Sequence, residues 1–146
     1  QRESGKVEFV FVGKFIDRKR PLDLVRALNG WQEENVRLRF IGAGELEPQL
    51  REAAAKDPRI EVAGFRDQAD LPAEYRRADY VVLPSDWETW GLCINEGMAA
   101  GCGAIVSDSC GCAADLVVPG WNGLPSSITR SAGAYQPWGA WLSSCK

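Results

Sequence analysis

Residues 78 to 101, ADYVVLPSDWETWGLCINEGMAAG, read as a strand, a loop and a helix, and this order constrains the whole chain. Tyr80 to Leu83 is a short apolar, β-rich run of the kind a fully buried parallel strand needs, and Pro84, Ser85 and Asp86 end it with turn chemistry. Gly91 to Ala100 supplies the helix and stops at Gly101, which suits the left-handed conformation just past a helix end. Such a loop delivers unpaired N–H groups at the positive end of a helix dipole, where an anion, phosphate above all, is the natural partner. Gly91 lets that anion come close.

Two carboxylates frame the loop, Glu88 before the helix and Glu96 within it, with seven residues between them. Helical side chains lean toward the N-terminus, so Glu96 can reach groups attached to a bound phosphate. A carboxylate only accepts hydrogen bonds, which makes vicinal hydroxyls of a ribose or hexose suitable partners. Either Glu alone reads as a solvated residue complementing the dipole; together, with Pro84, Ser85, Gly91 and Leu92 beside them, they mark a site.

The rest of the chain repeats the alternation. Val7 to Val12 is a strand closed by Gly13, and Lys14, Arg18, Lys19 and Arg20 then crowd the start of a helix opened by Pro21. Cations oppose the dipole there, so four of them suggest an anion they hold jointly; the bland alternative is a solvated basic loop offset by Asp17 and Asp23. This loop falls at the C-terminal end of a parallel strand, where open α/β sheets bind ligands. Leu24, Leu28 and Trp31 form a core face, and Val36, Leu38 and Phe40 alternate with Arg37 and Arg39 as a second strand. Gly42-Ala43-Gly44 is followed by Glu47 where a dinucleotide fingerprint needs its third glycine, so an NAD site is excluded and a turn pair is expected. Leu46 and Leu50 mark a helix, Ile60 and Val62 a strand, Asp70 the cap of a short helix carrying Leu71, Tyr75 and Ala78 on one face, and Ala104 to Ser107 a further strand. The pattern predicts a Rossmann-like, doubly wound parallel sheet with strand order 3-2-1-4-5.

At 146 residues the chain is long enough to bury one core, and its net charge of −3, mixed in sign, carries no broad nucleic-acid footprint. It has no apolar run of membrane-spanning length, and Gln1 to Lys6 lacks a secretory core, so a cytoplasmic setting is expected. The five cysteines have no framework spacing and there is no histidine, which predicts reduced thiols and removes Ser-His and Cys-His nucleophile systems. Cys110-Gly111-Cys112 is too short for a paired-cysteine zinc site, and no metal is expected.

Pro84-Ser85, Glu88, Gly91-Leu92, Glu96, Met98-Ala99 and Gly101 together resemble the nucleotide-sugar signature of the retaining glycosyltransferases of family 4, the group-1 glycosyltransferases. Trp90 stands where the family more often has Phe, and Gly97 where it has Ala. Gly13-Lys14-Phe15 and Lys19 resemble its Gly-Arg-hydrophobic segment and following Lys, which implies that Lys14 and Lys19 hold the donor diphosphate, Lys14 without the bidentate geometry of Arg. Gly64-Phe65-Arg66 matches the turn beside the nucleotide base, so the resemblance puts Phe65 or Arg66 at a base face, although packing accounts for Phe65 equally. Gly111-Cys112 and Asp115 depart from the family's Gly-Gly, two residues, Glu, while Gly120 to Leu124 resembles its closing turn.

The resemblance covers Val7 to Leu124 and implies the C-terminal half of a GT-B fold. It implies a donor-binding domain, residues 1–124, of an enzyme of polysaccharide biosynthesis that moves a sugar from a nucleoside-diphosphate sugar to an acceptor hydroxyl with retention and without metal. Catalytic roles then fall to Glu88, Lys19 and Lys14, and donor-binding roles to Glu96, Gly91, Leu92, Phe65 and Arg66. The partner expected is an N-terminal acceptor-binding domain absent from this chain, with a peripheral position at the inner face of the membrane left open for the intact enzyme. Residues 125–146, rich in Ser, Gly, Ala and Trp, read as an irregular tail such as a truncation or frame shift leaves. Two alternatives stand beside this reading: an inactive nucleotide-binding module and, ranked last for want of histidine, a sugar-nucleotide epimerase.

Overall fold

The computed structural model describes residues 5–126. The elements are β1 (Val7–Val12), a 3-10 turn (Asp17–Lys19), α1 (Pro21–Asn29), β2 (Val36–Ile41), α2 (Glu47–Lys56), β3 (Ile60–Gly64), α3 (Leu71–Arg77), β4 (Tyr80–Leu83), α4 (Leu92–Ala99), β5 (Gly103–Ser107), α5 (Ala113–Leu116) and β6 (Gly123–Ser126). Every strand pair is parallel, in the order β3-β2-β1-β4-β5-β6. The expected order of five strands is therefore present, with a sixth added beyond it. That strand carries the sheet across residue 124 to Ser126; the remainder of the anticipated tail lies outside the described residues.

Successive side chains of a strand point to opposite faces, and a parallel sheet covered on both sides buries both sets. Phe9 and Phe11 of β1, Val82 of β4 and Ile105 of β5 join Leu24, Leu28, Leu46 and Leu50 in a core under α1 and α2. Val10, Val81, Leu83, Ala104 and Val106, their neighbours in sequence, join Tyr75, Ile94 and Ala113 under α3, α4 and α5. Trp31 lies past the end of α1 yet packs on Phe9, ring centroids 6.3 Å apart.

Two local expectations change. Asp70 sits at the N-cap of α3 but makes no capping bond with its side chain. Arg39, expected on a polar strand face, is buried and ion-paired with Glu61 of β3 at 2.9 Å and Glu74 of α3 at 3.0 Å. Burying that charge requires such partners, and they come from elements that are distant in sequence. Gly97 has a packing reason: a Cβ there would stand 2.6 Å from Val81 Cγ1, so α4 lies closer on β4 than an alanine permits.

Candidate functional site

The direction of winding reverses between β1 and β4, and at such a switch point the loops leaving the two strands open a crevice. Here the loops after Val12 and after Leu83 meet. The Asp86 N–H donates to Arg18 O at 2.8 Å, the Arg18 guanidinium donates to Trp87 O at 2.9 Å, and its carbon stands 4.8 Å from the Trp87 ring centroid.

Glu88 is the focus of this junction. Its Oε1 accepts from Lys19 Nζ at 2.6 Å and from the buried Ser85 hydroxyl at 3.1 Å, and Arg18 stands 3.2 Å away. Oε2 accepts from no described residue, so half of the carboxylate is committed and half is open. Burial raises the Glu88 pKa, but the hydrogen bonds and charges of Lys19, Ser85 and Arg18 outweigh it and hold the group below the usual carboxylate range.

The basic cluster is compensated, although not as expected. Arg20, with a left-handed φ of 52°, pairs with Asp23 and at 2.9 Å with Asp86, and Asp23 also holds Arg26 at 2.6 Å. Asp17, expected to offset the cluster, is exposed and forms no ion pair among the described residues. Lys14 is likewise exposed and without an ion pair there, so Arg18 rather than Lys14 joins Lys19 on Glu88.

The helix that follows starts as the sequence predicts, one residue later. Gly91 is the N-cap of α4 with φ 104°, and the N–H groups of Leu92 and Cys93 find no acceptor among the described residues. The Leu92 side chain is 65% exposed beside them. The missing Cβ of Gly91 has a different use from the one expected: its place lies 2.7 Å from Leu83 Cδ2 and 3.1 Å from Cys112 Sγ. That side faces the core, so Gly91 is required by its φ and by packing rather than by an approaching anion.

The segment after β5 holds this loop from behind, a part that sequence reading left without a role. Gly111 N donates to Glu88 O and Cys112 N to Trp90 O, both at 3.0 Å, and a Cβ on Gly111 would fall 2.0 Å from Thr89 O. Burial pushes the Cys93 and Cys110 thiols up to about 12, so neither is a nucleophile at neutral pH. Cys93, Cys102, Cys110 and Cys112 are all free thiols, and no group of three or more metal-ligating side chains occurs among the described residues.

Further along α4, Glu96 accepts from the Tyr75 hydroxyl (Oε2, 2.9 Å) and from Gln68 Nε2 (Oε1, 2.9 Å). Neither donor was singled out from sequence for this role; Tyr75 was assigned to the core face of a helix, and its ring is indeed buried. At the end of β3, Phe65 is 68% exposed. Arg66 is half-buried and engaged, donating to Glu74 at 3.1 Å and to Ala63 O at 2.9 Å. Of the two residues considered for a base face, Phe65 presents the larger open surface, 68% against 35% for the Arg66 side chain.

Residues 6–133 match the family described as Glycosyl transferases group 1. The uncharacterized glycosyltransferase MJ1178 of Methanocaldococcus jannaschii is 26% identical over 117 residues, 79% of this chain and 32% of that protein. A glycogen synthase of Mycobacterium tuberculosis is 29% identical over 135 residues, 89% of this chain and 32% of the relative. Among solved structures, Anabaena Alr3699/HepE in complex with UDP-glucose superposes with a TM-score of 0.80 at 22% identity, over 97% of this chain and 39% of that one. The lipopolysaccharide outer core galactosyltransferase WaaB in its apo form gives 0.75 at 21% identity, over 87% and 37%. The fold is thus the Rossmann-like half of a GT-B glycosyltransferase. The chain spans about a third of the length of the curated relatives it matches.

Proposed function

Because the chain belongs to the group 1 glycosyltransferases, we propose that the crevice between the loops after β1 and β4 binds the nucleoside-diphosphate-sugar donor of a retaining sugar transfer. The observation that carries this is the divided state of Glu88, whose Oε1 is held by Lys19 and Ser85 beside Arg18 while Oε2 accepts from no described residue.

In this reading the diphosphate lies at the start of α4, where Gly91 and Leu92 present the positive end of the helix. Lys19, Arg18 and the exposed Lys14 supply the positive charge that the leaving diphosphate needs, in place of a metal ion. Glu96, with one lone pair of each oxygen already used, takes the ribose hydroxyls; Glu88 Oε2 takes a hydroxyl of the transferred sugar. Phe65 offers its ring to the base. An acceptor-binding domain outside this chain supplies the opposite wall of the cleft, with the acceptor hydroxyl. Without that wall, proximity and water exclusion are not achieved, so donor binding and turnover separate.

Calorimetric titration of the chain with UDP and UDP-glucose, the ligands named with the Anabaena structures, in the presence of a chelator is the test. Binding of both without added metal is expected, and sugar transfer by the chain alone is not. If UDP, ADP and GDP and their glucose conjugates all fail to bind, the donor-site reading is wrong; turnover by the chain alone removes the need for a second wall.

A further inference from the structure

Glu96 does not point freely from its helix. A glutamate on a helix surface has several rotamers open to it, and a carboxylate that must accept from two hydroxyls at fixed spacing works best when that freedom is already removed. Here both oxygens are tied, Oε2 to the hydroxyl of Tyr75 from α3 and Oε1 to Gln68 from the connection between β3 and α3. A carboxylate has about four acceptor positions, so roughly two remain, one on each oxygen, and a vicinal diol needs two acceptors.

The tyrosine that does this is itself fixed. Its ring is among the largest fully buried side chains of the domain, and Cys102 Sγ donates to its carbonyl oxygen at 3.1 Å. Burial foremost, with Cys93 and Glu96 nearby, drives its hydroxyl pKa far upward, so it remains a donor at any working pH. Phenylalanine would fill the same space without an O–H to place. The neighbouring Glu74 holds Arg66 at 3.1 Å and so anchors the turn that carries Phe65. One short helix thereby ties both the Glu96 carboxylate and the Gly64-Phe65-Arg66 turn.

We infer that Tyr75 and Gln68 are positioning residues that aim the Glu96 carboxylate at the two ribose hydroxyls of the donor. The inference rests on the reading of Glu96 as the ribose-holding group and assigns the residues that make it effective. Neither touches the ligand; each acts through Glu96.

The test titrates the full chain and its variants Tyr75→Phe, Gln68→Ala, Glu96→Gln and Tyr75→Phe/Glu96→Gln with UDP and with its 2′,3′-dideoxy analogue, alongside thermal unfolding of each. Wild type should prefer UDP. Tyr75→Phe should weaken UDP roughly tenfold and leave the dideoxy analogue unchanged, Gln68→Ala should show the same split to a smaller degree, and Tyr75→Phe should add nothing once Glu96→Gln is present. A Tyr75→Phe loss equal for both ligands, or additive with Glu96→Gln, assigns Tyr75 to packing alone and overturns the inference. Gln68 is exposed, so its variant stays informative even if Tyr75→Phe does not fold, and an unchanged UDP preference in Gln68→Ala then overturns it. If wild type does not distinguish the two ligands, Glu96 does not hold a ribose and the parent reading falls too; if it does and both variants are silent, only the positioning role falls.

Discussion

Lys19 and Glu88, 69 residues apart in the chain, meet with Nζ 2.6 Å from Oε1 and join the loops that leave β1 and β4. Both side chains are largely covered, at 16% and 13% exposure, so the pair sits in a medium where charges act more strongly than in water. A diphosphate that takes Lys19 must therefore compete with a carboxylate already there. At Lys19 the loop junction offers an exchange of partners rather than a bare cation.

Lys19→Ala should weaken UDP by about ten- to hundredfold, the range of a charge-assisted hydrogen bond of roughly 1.5–3 kcal/mol. Lys14→Ala should cost less, because an exposed cation is screened by water and salt. Titrations at low and high ionic strength check both, with the losses larger at low salt. A Lys19→Ala protein that binds as wild type does would remove the diphosphate from this loop.

The same pair predicts part of the acid response. The folded Glu88 pKa lies below its unfolded value, which for a free glutamate is about 4.3. Its contribution to stability is then complete above the unfolded value and is lost as pH falls through the lower, folded one. Denaturant unfolding of wild type and Glu88→Gln between about pH 6 and pH 3 reads this directly: the stability difference should be largest at the neutral end and shrink with acid. A difference independent of pH would mean that the pair contributes nothing to folding.

Gly97 offers a packing test separate from ligand chemistry. An alanine there brings its Cβ to 2.6 Å from Val81 Cγ1 and 2.7 Å from Val81 Cβ, on a strand that has no room to retreat. Gly97→Ala should destabilise by about 1–3 kcal/mol, against roughly 1 kcal/mol gained in helix propensity. In the Gly97→Ala/Val81→Ala protein the new methyl fills part of the space the valine leaves, so the double variant should lose less than the sum of the singles. Strict additivity in urea unfolding would show that the two positions do not share this space.

Much of the architecture was legible because parallel strands and their helices write their periods locally. Tyr80 to Leu83 and the helix ending at Gly101 carry their structural reason within a few residues, whereas the glycine pair at 42 and 44 has its reason in the loop after β1, where a Cβ would fall 1.9 Å from Gly13 O and 2.5 Å from Phe15 O, respectively. The partners of charged groups were not legible in this way. Arg39 alternates with apolar neighbours like a solvated residue, yet its partners Glu61 and Glu74 come from the next strand and the helix beyond it. Arg18 stood in a run of four cations from which sequence alone could not choose the second one on Glu88. Tyr75 was correctly placed on a core face, but the reach of its hydroxyl to Glu96 depends on how α3 packs on α4. The two glutamates, whose spacing lies within one loop and helix, and the run of cations after β1 were the stretches that read as a candidate site from sequence.

Those two glutamates should separate by ligand. The proposed diphosphate lies between them at the Gly91-Leu92 helix start, with Glu96 on the ribose side and the open Oε2 of Glu88 on the sugar side. Glu96→Gln keeps the shape but turns one acceptor into a donor, so it should weaken UDP and UDP-glucose alike, by about ten- to hundredfold. Glu88→Gln should weaken UDP-glucose only. It should slightly strengthen UDP, because it removes a negative charge from the phosphate site and releases Lys19 and Arg18 from their carboxylate. Calorimetry of both ligands against both variants gives four numbers, and the pattern rather than any one of them carries the argument. Equal losses for UDP and UDP-glucose in Glu88→Gln, or none in Glu96→Gln, would return these residues to solvated carboxylates at a helix end.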